Sequence, residues 1–456
     1  MGLTPERRAA LDALARIRVS DAYAPEVLES VSRARDLHPR QRAFAKWLVW
    51  GTLQYQGSLD HAIDRFAKAP GRIPPRVRDA LRAGVYEILF GETPPPVVID
   101  QTVEAAKDAA PGLAGMANAI MRRVLSEADS FPWLDEETHP THAQALRLGH
   151  PPWMADMLLS DLGPRTAAAV MDADNRPAPV YLRHNPFRGT FEELLDVLQA
   201  DGAGPAACEL PGCIWVEQPE AAIAGRALRE GMAIVMDAAA QFAAHALGDI
   251  AGKRVVDVGA GRGGKTLAVQ AIAAAQGRPA DVTAVDLHAS KLEVLEARVS
   301  DLGVPSIRTV AMDATDLPSP DAGLGRGCAD LVLVDAPCSG LGTLRRHPEK
   351  RWRILPEDIQ RLTDLQTRLL FAASRLVSPG GAIVYSTCTI TRAENQEVVL
   401  SFLGSEAGRA FAADDLSALT PPAWRGWCGD EGWFQSLPSV GGPDGHFVAR
   451  LVRRED

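Results

Sequence analysis

Two cysteines, Cys338 and Cys388, stand where a side chain can do chemistry. Each follows a short apolar run: Ala329–Asp335 leads through Ala-Pro to Cys338-Ser339-Gly340, and Ala382–Thr387 leads directly into Cys388. Runs of this length, bounded by Asp, Pro or Gly, read as buried strands of a parallel sheet. Ligands in open α/β sheets bind beyond the carboxyl ends of such strands. An ionised thiol at that edge is a nucleophile. No Cys-x-x-Cys occurs and no Cys/His cluster has zinc spacing, so no metal is expected. Cys208, Cys213, Cys328 and Cys428 sit in no motif and read as small core hydrophobes.

A second concentration of chemistry precedes the cysteines. Arg254-Val-Val-Asp257-Val-Gly259-Ala260-Gly261-Arg262-Gly263-Gly264-Lys265-Thr266 reads as strand, glycine loop and helix start. Such a loop lets backbone approach a ligand, and the helix N-terminus offers unpaired N–H groups. The string satisfies two motifs at once: Gly259-x-Gly261-x-x-Gly264 is a dinucleotide fingerprint, and Gly259-x4-Gly264-Lys265-Thr266 is a phosphate-binding loop. The acids at the next strand ends discriminate between them. Asp281–Asp286 reads as a strand ending in an acid placed to accept from ribose hydroxyls. Asp313 follows a third strand and Asp335 a fourth. An ordered series of carboxylates suits S-adenosylmethionine, which is cationic at sulfur, better than it suits a triphosphate.

These groups need a scaffold, and the rest of the sequence describes one. The chain has 456 residues, room for about three domains. Residues 1–130 are expected to be entirely helical, with apolar residues at three-to-four spacing in Ala9-Leu11-Leu14-Ile17, Phe44-Leu48-Val49-Leu53 and Val77-Leu81-Val85-Ile88-Leu89. Residues 131–149 read as a linker. A small α/β module spans 150–240, and a repeating strand–helix pattern, the sign of a doubly wound sheet, dominates 241–456. Gly445–Val452 reads as a last strand. No apolar run is long enough to span a membrane, the charged N-terminus does not read as a signal peptide, and six cysteines in such a chain read as reduced thiols of the cytoplasm. The formal net charge is −10, carried by the residues after 130. The helical part is slightly basic, so nucleic acid remains a possible partner.

The residues resemble two known families. Arg40-Gln-Arg42-Ala-Phe44, Leu48-Val-Trp-Gly51, Leu81-Arg-Ala-Gly84-Val-Tyr86 and Ala117-Asn118-Ala-Ile-Met-Arg122-Arg123 resemble the helical RNA-binding domain of the NusB antitermination factor. Asp335-Ala-Pro-Cys338-Ser-Gly340 and Ser386-Thr387-Cys388 resemble the paired motifs of the RNA cytosine-C5 methyltransferases. So do Asn175-Arg176-Pro177, Met236-Asp237-Ala-Ala-Ala-Gln241 and Arg345-Arg-His347-Pro348-Glu-Lys350-Arg-Trp352. Together the two cover nearly the whole chain, in the domain order of the bacterial ribosomal small subunit methyltransferase B family.

The resemblance implies an all-α NusB-like bundle, a small α/β module and a Rossmann-like methyltransferase domain. It also implies a reaction. C5 of cytosine is a poor nucleophile until a thiolate adds to C6 and turns C5 into an enamine carbon. By resemblance Cys388 attacks, Cys338 aids product release and Asp335 contacts the base. The donor S-adenosylmethionine would be held by Gly259, Ala260, Gly261, Arg262, Gly263, Gly264, Lys265, Asp286, Asp313 and Asp335. Arg345, Arg346, Lys350 and Arg351 would meet RNA phosphates. The implied partner is 16S ribosomal RNA, naked or partly assembled, bound by a monomer. The loop departs from the family pattern: Gly259 stands where a cysteine is usual, as a looser turn, and Arg262 where a proline is usual. Competing readings are methylation of another RNA such as tRNA, a phosphate-loop or nicotinamide enzyme, and a non-catalytic RNA-binding scaffold.

Overall fold

The computed structural model describes residues 2–20, 22–134, 137–305 and 307–455. They form two compact units: Met1–Arg176 with Leu344–Leu355, and Pro177–Thr343 with Pro356–Asp456.

The first unit is helical, as expected for residues 1–130. Its long helices are Pro5–Val19, Ala24–Ala34, Pro39–Gln54, Gln56–Phe66, Pro75–Phe90, Pro95–Ala109 and Ala114–Ser126. Proline opens several of them, where its missing N–H costs nothing and its fixed φ is already helical. Leu14, Ile17, Leu48, Leu59, Leu81 and Ile120 form the core. Two motif glycines have a packing reason. A Cβ on Gly51 would lie 1.8 Å from the Tyr86 ring, and one on Gly84 would lie 2.1 Å from Thr102 Oγ1. Small residues here let helices approach closely, and a buried ion pair of Arg7 Nη2 with Glu87 Oε2, at 2.6 Å, ties the first helix across to Pro75–Phe90.

Residues 131–149 are more than a linker. Trp133 packs edge-on to Phe66 and Phe131, and His61 Nε2 meets Pro132 O at 2.9 Å. The helix Pro140–Arg147 buries Ala143, Ala145 and Leu146, and Ser58 Oγ donates to Leu146 O at 2.7 Å. Helices Pro152–Leu162 and Pro164–Ala173 fall in the same compact unit.

The segment Leu344–Leu355 corrects a further expectation. Arg351 is fully buried. Its guanidinium donates to Gly149 O at 3.0 Å, Asn175 Oδ1 at 2.9 Å, Gln54 O at 3.3 Å and Asp174 O at 3.2 Å. Burial holds its pKa down at about 10. A guanidinium in such a place is retained because both of its terminal nitrogens donate to acceptors. Arg345 is buried too, and Lys350 and Arg346 are half-buried. The four cations therefore do not form an exposed phosphate-binding strip. Trp352 reinforces the same attachment: its Nε1 donates to Gln54 O at 3.2 Å, and its ring occupies the space a Cβ on Gly57 would need.

The second unit holds two sheets. Strands β1 (Val180–His184), β2 (Pro205–Ala207), β3 (Cys213–Val216) and β4 (Ala233–Val235) pair antiparallel in the order β2-β3-β1-β4. The helix Phe191–Ala200, started by a Thr190/Glu193 capping box, packs Leu194 and Leu198 into that module's core. The larger sheet contains β5 (Arg254–Val258), β6 (Asp281–Asp286), β7 (Arg308–Ala311), β8 (Ala329–Asp335), β9 (Val377–Thr387), β10 (Phe411–Asp414), β11 (Phe434–Gln435) and β12 (Phe447–Arg453). Its order is β10-β12-β9-β8-β5-β6-β7, with β11 beside β12. Strands β5 to β9 run parallel; at one side β12 runs antiparallel to β9, and β10 antiparallel to β12. The sheet is thus doubly wound with a mixed edge, and the order reverses between β5 and β8. That reversal opens a crevice at the carboxyl ends of the strands. The apolar runs Val255-Val256, Leu331–Val334 and Ile383–Tyr385 are buried in the sheet, as strands covered on both faces must be.

Candidate active site

The glycine loop follows β5 into the crevice. Gly259, Gly261 and Gly263 all have positive φ, a conformation that strains residues with a Cβ. Gly259 is not a looser turn: a Cβ there would lie 2.3 Å from Asp335 O. The glycine lets the end of β5 touch the end of β8. A Cβ on Gly263 would lie 2.1 Å from Leu295 Cδ1, so that glycine seats the loop on the helix Ala289–Asp301.

The acids at neighbouring strand ends are already organised by this loop. Asp286 accepts from Gly261 N and from His288 N, both at 2.9 Å. Two hydrogen bonds leave a carboxylate capacity for ribose hydroxyls. Asp313, just beyond β7, is exposed and caps the turn Ala314–Asp316, its Oδ1 accepting from Thr315 N at 2.9 Å and Thr315 Oγ1 at 2.7 Å. These bonds to Thr315 lower its pKa. Asp257, inside β5, is fully buried. Its Oδ2 accepts from Thr266 Oγ1 at 2.5 Å, while its Oδ1 has no partner. Burial, with Asp335 adding repulsion, pushes Asp257 up to about 7.

Lys265 decides between the motifs. In a phosphate-binding loop this ammonium reaches the phosphates. Here Lys265 Nζ pairs with Asp335 Oδ1 at 2.8 Å. Burial works against the cation, but attraction and hydrogen bonding to Asp335, with smaller contributions from the neighbouring Cys388 and Asp257, carry its pKa upward. With Asp286 capturing Gly261 N as well, the loop presents carboxylates around its rim. That arrangement fits a cationic nucleoside ligand and does not fit a triphosphate.

The two cysteines meet. Asp335 of β8 lies opposite Ser386 of β9, and Ala336 N donates to Ser386 O at 3.0 Å. Three residues beyond Asp335 and two beyond Ser386, the Cys338 and Cys388 sulfurs stand 3.3 Å apart. Both are half-buried, and neither is in a disulfide. The turn after Cys338 is held close to the other: Gly342 N donates to Cys388 O at 3.1 Å, and a Cβ on Gly342 would lie 2.1 Å from Gly445 O.

The helical unit, the small module and the doubly wound sheet agree with the comparisons to known proteins. The model of the family "16S rRNA methyltransferase RsmB/F" matches residues 244–452, that of the NusB family residues 4–126, and that of the RsmF/B-like ferredoxin-like domain residues 150–223. A probable ribosomal RNA small subunit methyltransferase B of Bacillus subtilis (strain 168) is 30% identical over the whole length of both chains. The chain belongs to this family of 16S rRNA methyltransferases. A ribosomal RNA small subunit methyltransferase B of Salmonella paratyphi C is 30% identical over 91% of each chain. Among solved structures, the crystal structure of PH0851 shares the fold with a TM-score of 0.80, 24% identity and 99% coverage of both chains. The structure of a methyltransferase homolog from Pyrococcus horikoshii covers 69% of this chain and 99% of its own, with a TM-score of 0.58 and 22% identity.

Family membership makes the chain an RNA methyltransferase and S-adenosylmethionine its methyl donor, and it removes the phosphate-loop and nicotinamide readings. The small module is a ferredoxin-like domain, a finer description than the sequence supplied. Arg262, expected at the donor, has an exposed side chain, and its backbone O accepts from Arg298 Nη1 at 2.8 Å. The tryptophans 424, 427 and 433 pack with Phe242, Phe434 and Phe447, as core residues do. Among the described residues no group of His, Cys, Asp and Glu could hold a metal ion, and no helix is long and apolar enough to cross a membrane.

Sequence reasoning missed one part of the site. Behind the cysteines lies a buried polar cluster of Ser339, Thr389, Thr391, Glu394, Asn395 and Gln366. Its only trace in the sequence is the polar run Thr389–Asn395 just before the apolar helix Gln396–Leu403. Without the fold, that run reads as an ordinary turn with a helix cap.

Proposed function

We propose that the protein methylates C5 of a cytosine in 16S ribosomal RNA through a covalent cysteine adduct. The observation that carries this reading is the pair of sulfurs, Cys338 and Cys388, 3.3 Å apart beside the Asp335–Lys265 ion pair. A methyl transfer to nitrogen or oxygen has no use for two thiols at one strand edge. Carbon C5 does, because it must first be activated by addition at C6.

In this reading Cys388 adds as thiolate to C6, and Lys265 is the fixed cation that favours the ionised sulfur. Asp335 hydrogen-bonds the base at N3, where negative charge develops, once it holds a proton or shares that of Lys265. Bound S-adenosylmethionine supplies an electrophilic methyl group from its sulfonium. Gly259, Gly261 and Gly263 keep the loop backbone close to the donor, and Asp286 and Asp313 recognise its nucleoside end. The C5 proton then passes to a base, which we assign to Cys338. The electrons of that C–H bond re-form the C5–C6 double bond as the Cys388 sulfur leaves. The substrate is naked or partly assembled small-subunit RNA, met by a monomer in the cytoplasm.

The reading is tested by incubating the protein with 16S RNA and methyl donor and mapping the product by bisulfite sequencing. A cytosine protected from conversion is expected. Transfer of methyl label to the RNA with no protected cytosine would refute C5 as the acceptor.

A further inference from the structure

The buried carboxylate of Glu394 belongs to no step above, yet hydrogen bonds converge on both of its oxygens. Its Oε1 accepts from Ser339 N at 2.8 Å and from Gln366 Nε2 at 3.0 Å. Its Oε2 accepts from Ser339 Oγ at 2.6 Å, Thr391 Oγ1 at 2.9 Å and Thr389 Oγ1 at 3.3 Å. Tyr385 OH donates to its backbone O at 2.7 Å. The donors come from both cysteine turns: Ser339 follows Cys338, and Thr389 follows Cys388. Ser339 Oγ and Thr389 Oγ1 also meet directly at 2.7 Å. A fully buried carboxylate is expensive unless so satisfied, so the cluster does more than fill space.

The two turns do not depend on Glu394 equally. Cys388 sits directly on the end of β9, which pairs with β12 as far as Thr387↔Phe447. Thr387 Oγ1 donates to Asn395 Oδ1 at 2.5 Å. Cys338 lies three residues past the end of β8, in an irregular turn. The anchors that bracket it are Gln366 Nε2 on Pro337 O at 2.9 Å and the two bonds from Ser339 to Glu394. Gln366 itself leans on Glu394. Removing the carboxylate therefore loosens the Cys338 turn and leaves Cys388 supported by its strand.

We propose that Glu394 is a positioning residue that holds Cys338 against the reacting base and so sets the rate of product release. This rests on the assignment of attack to Cys388 and release to Cys338. Glutamine can replace the carboxylate in part. Its oxygen can keep Ser339 N and the Gln366 amide, and its NH2 can donate to hydroxyls that rotate to accept. Alanine keeps nothing.

The experiment compares parent, Glu394→Ala, Glu394→Gln and Cys338→Ala proteins on 16S RNA with methyl donor. Covalent adduct is read on denaturing gels, and methyl transfer in the first turnover is read separately. Glu394→Ala is expected to accumulate adduct by roughly tenfold over the parent while slowing first-turnover transfer far less, and Glu394→Gln to recover most of the lost release. Parallel loss of adduct and transfer in Glu394→Ala, with Cys338→Ala still trapping adduct, would overturn the proposal alone. Turnover by Cys338→Ala without adduct would bring down the role of Cys338 and this proposal with it. Should Glu394→Ala not fold, Ser339→Ala removes one of the two bonds from the Cys338 turn. Adduct accumulation there supports the proposal, and release at the parent rate overturns it.

Discussion

At the scale of single residues, the site separates groups by what surrounds them. Lys265 was expected at the donor, because its place in the glycine loop is the only cue a sequence provides. Its side chain instead turns to Asp335, 2.8 Å away. Lys265→Met should therefore lower the methylation rate at saturating donor by roughly 100-fold or more, as for loss of a charge-stabilising group. The check is steady-state kinetics against donor concentration, where a rise in donor KM with unchanged kcat would contradict it. Cys338 and Cys388 were legible because each carries its neighbours with it in sequence. Glu394 was not, because its partners Ser339 and Gln366 are 55 and 28 residues distant.

At the scale of elements, the strands of the larger sheet were largely legible, since buried parallel strands are continuous apolar runs. The exception is β9, which starts at Val377 rather than Ala382 and carries Pro379 and Gly380 within it. Those residues read as a boundary, yet the strand passes through them on an irregular register with β8. The glycine loop depends on its backbone. Gly263→Ala places a Cβ into Leu295 at a φ of 81°, and should weaken donor binding by at least tenfold in calorimetry. Inside β5, Asp257 gives a pH prediction. Its carboxyl titrates at about 7 when folded, against 3.8 ordinarily, chiefly through burial. Between those values the folded chain holds a proton that the unfolded chain has released. Its stability contribution is full on the acid side and is lost as pH rises through about 7, at about 1.4 kcal/mol for each pH unit crossed between the two values. Asp257→Asn should flatten this decline in denaturant midpoints measured from pH 4 to 7, and an unchanged slope would contradict it.

At the scale of the whole molecule, composition and periodicity located three regions but did not show how the stretch 131–149 and the segment Leu344–Leu355 pack. The helices after residue 131 look like a connector because they are short and punctuated by Pro, Asp and His. They pack because Ala143, Ala145 and Leu146 form a buried face that short helices show weakly in sequence. Leu344–Leu355 was read by its charge, and charge alone cannot distinguish a guanidinium facing phosphate from one buried among carbonyls. Arg351→Ala should lower the thermal midpoint, since each orphaned carbonyl costs about 1–3 kcal/mol, and leave the salt dependence of RNA binding unchanged. A shallower salt slope with unaltered stability would restore the phosphate reading.

The claim on which the rest depends is that Cys388 forms the bond to RNA. Cys338→Ala protein, incubated with 16S RNA and donor, then digested and examined by mass spectrometry, tests it directly. A nucleotide attached to the peptide containing Cys388, absent from Cys388→Ala protein, is the result predicted. A nucleotide on Cys338 in Cys388→Ala protein, with methyl transfer retained, would contradict it.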